Sequence, residues 1–165
     1  MRKQRGFSAI ELLLVVAIIL LIAAIALPNL LRARIAANEA SAASGVRTMM
    51  VAQIQYQTSY SSIGYAPSLA ALGGTSCATP TSNAACLIDN SIANATTLGA
   101  AKDGYLYGAS GNASEFSVGN YPAGVGSTGY NSFCAVGDGV LRTDSTGANN
   151  SSSCQSLVTP QILTH

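Results

Sequence analysis

Residues 12–27 hold no polar side chain, and that run limits what the chain can be more than any other feature. Leu30 and Leu31 carry the apolar character past Pro28 and Asn29. As one helix over residues 7–31 the segment is roughly 37 Å long at 1.5 Å per residue, enough to cross a bilayer core of about 30 Å. Arg2, Lys3 and Arg5 precede the run, and the positive-inside rule places that end in the cytoplasm. Arg32 and Arg34 on the far side reduce this asymmetry without reversing it. A single-pass inner-membrane protein with the rest of the chain outside is the expectation.

Glu11 is the residue a plain anchor would not keep. A carboxylate in a spanning helix costs roughly 2.5 to 3.5 kcal/mol at the centre and less near the end, so it asks for a partner. The span offers no other charge. Removal of the leader after Gly6 would expose a free amine on Phe7, and a neighbouring chain shifted by one turn would bring that cation beside Glu11. Snorkelling to water is the competing explanation. A secretory signal peptide shares the outline of basic leader and apolar core, and Ala24-Ile25-Ala26 would serve as its cleavage site. Glu11 inside the apolar region, and helical sequence running straight through that site, argue against it.

The block Gly6-Phe7-Ser8-Ala9-Ile10-Glu11, its basic leader and the apolar helix interrupted at Pro28 resemble the N-terminus of type IV prepilins and the related pseudopilins, a type IV pilin subunit most of all. The resemblance reaches from the leader into the helix beyond Pro28. It departs at Ala9, where the family more often has a larger aliphatic residue. It implies cleavage after Gly6 and N-methylation of Phe7 by a prepilin peptidase, with Glu11 setting subunit register. It also implies storage in the inner membrane, then polymerisation by the pilus assembly machinery into a homopolymeric extracellular or periplasmic filament. Two alternatives stand beside it: a pseudopilin of type II secretion, and a monomeric membrane-anchored binding or enzymatic domain. The Tyr-Pro plus Glu-Gln-Gly-Leu pattern expected of the major pseudopilin is missing after the helix.

Good helix formers continue to about Tyr60, with Leu31, Ile35, Ala42, Val46, Met50 and Ile54 read as the apolar stripe. Pro28 lacks the N–H that would bond to Ala24, so a kink or local melting is expected there, and Gly45 is a second weak point. The family resemblance reads Pro28 as a flexible joint between a polymerising half and a half that carries the head. The expected organisation is a leader at 1–6, a transmembrane and polymerisation half at 7–31, an amphipathic half at 32–60 and a head at 61–165. Turn-rich composition after Tyr60 leaves short helices at 67–72 and 87–95. Strands follow at 105–107, 116–118, 133–136 and 140–142, with Gly137-Asp138-Gly139 as the last hairpin loop. The fold class is α+β, a long N-terminal helix packed on a small antiparallel sheet.

Four cysteines in an exported head point to disulfides. Three pairings are open, and the local one, Cys77 with Cys86 and Cys134 with Cys154, is preferred. The second bridge resembles the C-terminal disulfide-bounded loop of many type IV pilins. These spacings do not form the C-x2-C knuckles of zinc folds, and no metal or cofactor is expected. His165, the sole histidine, sits at the C-terminus, and no nucleophile has a base beside it, so no catalytic residue is assigned. Asp138 and Asp144 are read as turn formers in preference to calcium ligands. A net charge of +1 without a basic stripe gives no reason to expect a nucleic-acid partner.

Overall fold

In the computed structural model, which describes residues 8–75 and 77–147, the chain opens with helix α1, Ala9–Ser59. Alanine, leucine and isoleucine dominate its first half, and helical structure runs through Pro28 without a break. Asn29 Nδ2 donates to the Ile25 carbonyl at 3.3 Å, which satisfies that amide within its own turn. The chain divides into two compact units, Met1–Arg34 and Ile35–His165. In the first, the large side chains from Ile10 to Leu27 are 44 to 71% exposed. This part of α1 is long and apolar enough to cross a membrane.

In the second unit α1 buries Ile35, Ala42, Gly45, Val46, Met49, Ala52, Gln53 and Tyr56. From Ala42 onward the spacing of three and four residues makes one helical stripe. It differs from the stripe expected from sequence: Met50 is half-buried and Ile54 is exposed, while Met49, Ala52, Gln53 and Tyr56 point inward. Counting aliphatic residues missed this because two of the inward positions are Gly45 and Gln53. A Cβ on Gly45 would lie 2.7 Å from Tyr107 Cε1, so the ring packs directly on helix backbone there. Gln53 accepts from the Ala66 N–H at 2.8 Å and donates to the Ala66 carbonyl at 3.2 Å, closing both needs of a buried peptide.

Two short helices follow, α2 (Leu69–Leu72) and α3 (Asn90–Ala93), each shorter than its sequence signal. Ser68 and Asp89 cap them, accepting from Ala71 N at 3.4 Å and Ser91 N at 2.6 Å. The sheet is an antiparallel meander of β1 (Tyr105–Gly111), β2 (Phe116–Pro122), β3 (Ser132–Val136) and β4 (Arg142–Asp144), in that order. Tyr105 pairs with Pro122, Asn120 with Phe133 and Phe133 with Thr143. The first two strands outrun their aromatic cores because Gly108, Ala109 and Ser110 pair with Gly119, Val118 and Ser117 despite weak β-propensity. Strand β4 starts two residues later than expected. The Gly139 N–H bonds to the Val136 carbonyl at 3.1 Å with Gly139 at φ 75°, and Asp138 accepts the Val140 N–H, so the turn consumes Val140.

Helix and sheet share a core of Val46, Met49, Tyr56, Leu72, Tyr105, Val118 and Ala135. Asn120 on β2 locks the two layers. It is 1% exposed, donates to the Ala42 carbonyl at 2.7 Å and accepts from Phe133 N at 3.2 Å. The Tyr107 hydroxyl is buried nearby without a hydrogen-bond partner among the described residues.

Burial pushes Tyr107 up to about 12, and the Asp103 charge adds to this against the neighbouring Asn120 amide. Its folded value exceeds the unfolded one, so the unfolded chain loses the proton first and stability, complete below about pH 10, declines as pH rises towards 12. Tyr105, raised mainly by burial, acts in the same direction. Urea unfolding of residues 35–165 should therefore show an alkaline loss of stability that Tyr107→Phe reduces. At neutral pH that variant should be equal to or more stable than the parent, by up to about 1 kcal/mol. Asn120→Ala leaves a carbonyl and an N–H unpaired in the core, and the same measurement should show a loss of roughly 2 to 4 kcal/mol.

Candidate processing and assembly site

The segment Ser8-Ala9-Ile10-Glu11 begins the helix, and its S-x-x-E pattern has a local consequence. The Ser8 N–H donates to Glu11 Oε2 at 2.9 Å, while the Ser8 carbonyl accepts from Glu11 N at 3.1 Å and Leu12 N at 3.3 Å. Ser8 is thus the N-cap, and Glu11 reaches back to an N–H that the helix leaves orphaned. The carboxylate also sits in the first turn, where the helix dipole favours negative charge. Glu11 therefore has a partner inside its own chain, its own backbone. One N–H leaves acceptor capacity on both oxygens, so the group is still able to receive a second donor. Reading Glu11 for its cost in a membrane overlooked this role, although the capping signal was present in the sequence. Gly6 and Phe7 lie outside the described residues.

The head carries the other expected sites. Cys77 and Cys86 are disulfide-bonded, as the local pairing required, with Cα atoms 5.7 Å apart. Cys134 is also disulfide-bonded, and Cys154, the partner expected for it, lies outside the described residues, as does His165. The base of the 77–86 loop is held separately, by Cys86 N to the Gly73 carbonyl and Leu87 N to the Leu72 carbonyl at 2.9 and 2.8 Å. Its tip is held from below, where the Tyr56 hydroxyl donates to the Ser82 carbonyl at 2.6 Å.

Asp138 and Asp144 serve turns. Asp138 pairs with Arg142, which holds its carboxyl below the usual range, and Asp144 accepts from both the N–H and the hydroxyl of Thr146 at 2.8 Å. Glu39, which sequence treated only as a polar helix position, takes Tyr130 N at 2.8 Å, Asn131 N at 3.1 Å and Asn131 Nδ2 at 2.9 Å. It ties the β2–β3 loop to α1. No local sequence signal marks it, because its donors are 91 and 92 residues away.

One comparison with known proteins falls on the same end of the chain. Residues 1–27 match the family model described as the prokaryotic N-terminal methylation motif. The type IV wide pilus major component PilA4 of Thermus thermophilus is 44% identical over 57 residues. In sequence the chain is thus similar to a type IV pilin and carries the N-terminal methylation motif. The aligned stretch is 34% of this chain and 44% of the Thermus protein, so the chain spans less than half of that relative's length. No solved structure matches the chain.

The head is small, and its 77–86 bridge should matter to it. On the chain-entropy view a loop closed between residues nine apart is worth about 2.7 kcal/mol. Cys77→Ser/Cys86→Ser should lower the unfolding free energy of residues 35–165 in urea by about 2 to 3 kcal/mol. A loss below about 0.5 kcal/mol would show that the hydrogen bonds at the loop base suffice.

Proposed function

We propose that the chain is the structural subunit of a type IV pilus filament. It is made as a single-pass inner-membrane precursor, cleaved after Gly6 by a prepilin peptidase that N-methylates Phe7, and polymerised with copies of itself by the pilus assembly machinery. The observation that carries this reading is the methylation segment joined directly to a helix whose aliphatic side chains are uncovered. Such a surface has to leave water, and lipid and the same surface on other copies are chemically equivalent hosts for it. Polymerisation then trades one apolar surrounding for the other at small net cost.

Glu11 gives the exchange its register. In the isolated chain it holds the Ser8 N–H. In the filament the Phe7 amine of a neighbour occupies the remaining acceptor positions, forming a charge-assisted pair in an apolar surrounding. Pro28 acts as the joint between the polymerising segment and the head, and a Cys134–Cys154 bridge closes the C-terminal loop.

Mass spectrometry of the mature chain should find N-methylated Phe7 at the N-terminus. An intact Met1, or a start near Leu27, would overturn the reading. Two substitutions separate the cap from the ion pair. Glu11→Gln keeps an S-x-x-Q cap without charge, and Glu11→Ala removes both. Breaking a buried pair costs as much as roughly 3 to 5 kcal/mol for each subunit added. Both variants should accumulate in the membrane and yield no sheared filaments. Normal filament yield from Glu11→Gln would mean that capping, and not pairing with Phe7, is what the assembly needs.

A further inference from the structure

Two arginines stand at the outer end of the apolar segment without a task in the fold. Arg32 and Arg34 directly follow Leu30 and Leu31, and both are exposed. Neither joins an ion pair among the described residues. Each acid that a second copy would offer them already has an interaction of its own, Glu11 with the Ser8 N–H among them, so a guanidinium would have to share it. Glu39 holds the β2–β3 loop, Asp89 caps α3, Asp103 takes Lys102 and Ser41, and Asp138 takes Arg142. Asp144 holds Thr146, and Glu115 has a partner of its own.

Position on the helix supplies the second argument. Arg32 follows Glu11 by 21 residues on one unbroken helix, an axial distance of about 31 Å at 1.5 Å per residue. The hydrocarbon core of a bilayer is about 30 Å thick. With Glu11 at one boundary, Arg32 reaches the other, where the phosphates lie. Two residues apart means roughly 200° around the helix, so the two guanidinium groups leave on opposite sides and engage separate lipids. Guanidinium is the side chain best matched to phosphate, with paired donors and a charge that no accessible pH removes. Its aliphatic stem lies against the apolar end of the helix while the head group reaches outward.

We propose that Arg32 and Arg34 bind the phosphate groups of outer-leaflet phospholipids and so fix the depth of the stored subunit in the membrane. This rests on the proposed membrane-spanning precursor. Assembly must release both contacts, which makes the pair a retaining element at the end opposite the Glu11 cap.

The test uses the full chain, 15N-labelled in arginine, in vesicles of phosphatidylethanolamine and phosphatidylglycerol in a phosphate-free buffer, so that all phosphorus is lipid. Flotation reports insertion, and 31P dephasing of the guanidinium nitrogens reports phosphate within about 4 Å, a charge-assisted hydrogen bond plus one P–O bond. The comparison variant, Arg32→Lys/Arg34→Lys, keeps the charge and so keeps insertion. The expected result is that both chains float and that the variant loses a share of the dephasing. Flotation with equal dephasing in the two chains overturns the phosphate assignment and leaves the membrane reading in place. A chain that does not float overturns both. Dephasing of the same nitrogens by a 13C-carboxylate label on a second copy, in place of phosphorus, would assign the pair to subunit contact and overturn the proposal.

Discussion

An uncovered aliphatic surface dictates the rest of this molecule. From Ile10 to Leu31 the large side chains of α1 stay exposed. Removing each of them from water is worth roughly 1.5 to 3 kcal/mol, which favours a host for the segment, and lipid or other copies are the hosts that the proposed function supplies. The features around it follow from that need. Basic residues flank it, the Ser8 N–H gives the one acid inside it a donor, and the head beyond it is sparing in charge.

A few polar contacts join the elements of the head around its small core. Asn120, Gln53 and Glu39 each answer backbone groups on another element, and together they fasten α1 to β2, to the segment before α2 and to the β2–β3 loop. Side chains that make two or three bonds satisfy the buried donors they face, which matters in a sheet rich in glycine, alanine and serine. Gly45 completes the fit by letting Tyr107 reach helix backbone. That contact leaves the Tyr107 hydroxyl without a hydrogen-bond partner among the described residues.

Sequence made some of this legible and hid the rest for identifiable reasons. The apolar run, Glu11 and the order of helix then meander are visible because they rest on local periodicity and turn residues. The Cys77–Cys86 bridge was accessible for the same reason, its loop being short. The helix stripe was misplaced because Gly45 and Gln53, which apolar patterning counts as outside, face inward. Strand β4 was misplaced because the Asp138–Val140 contact stretched its turn. Asn120 and Glu39 were out of reach altogether. Their partners are backbone atoms 78 and 91 residues distant, and no periodic signal encodes a contact of that kind. The Ser8–Glu11 cap differs, since its pattern stood in the sequence and was eclipsed by the membrane cost of the same carboxylate.

What covers the aliphatic surface in the proposed filament is open to direct measurement. Fibres sheared from cells expressing equal amounts of a 13C-leucine-labelled chain and a 15N-labelled chain carry contacts between isotopes only where two copies meet. If the apolar half of α1 exchanges lipid for its own kind, magnetisation should pass from leucine carbons between Leu12 and Leu31 of one copy to backbone nitrogens in the same stretch of another. Transfer confined to the heads, with the apolar segment in contact with lipid alone, would contradict that exchange.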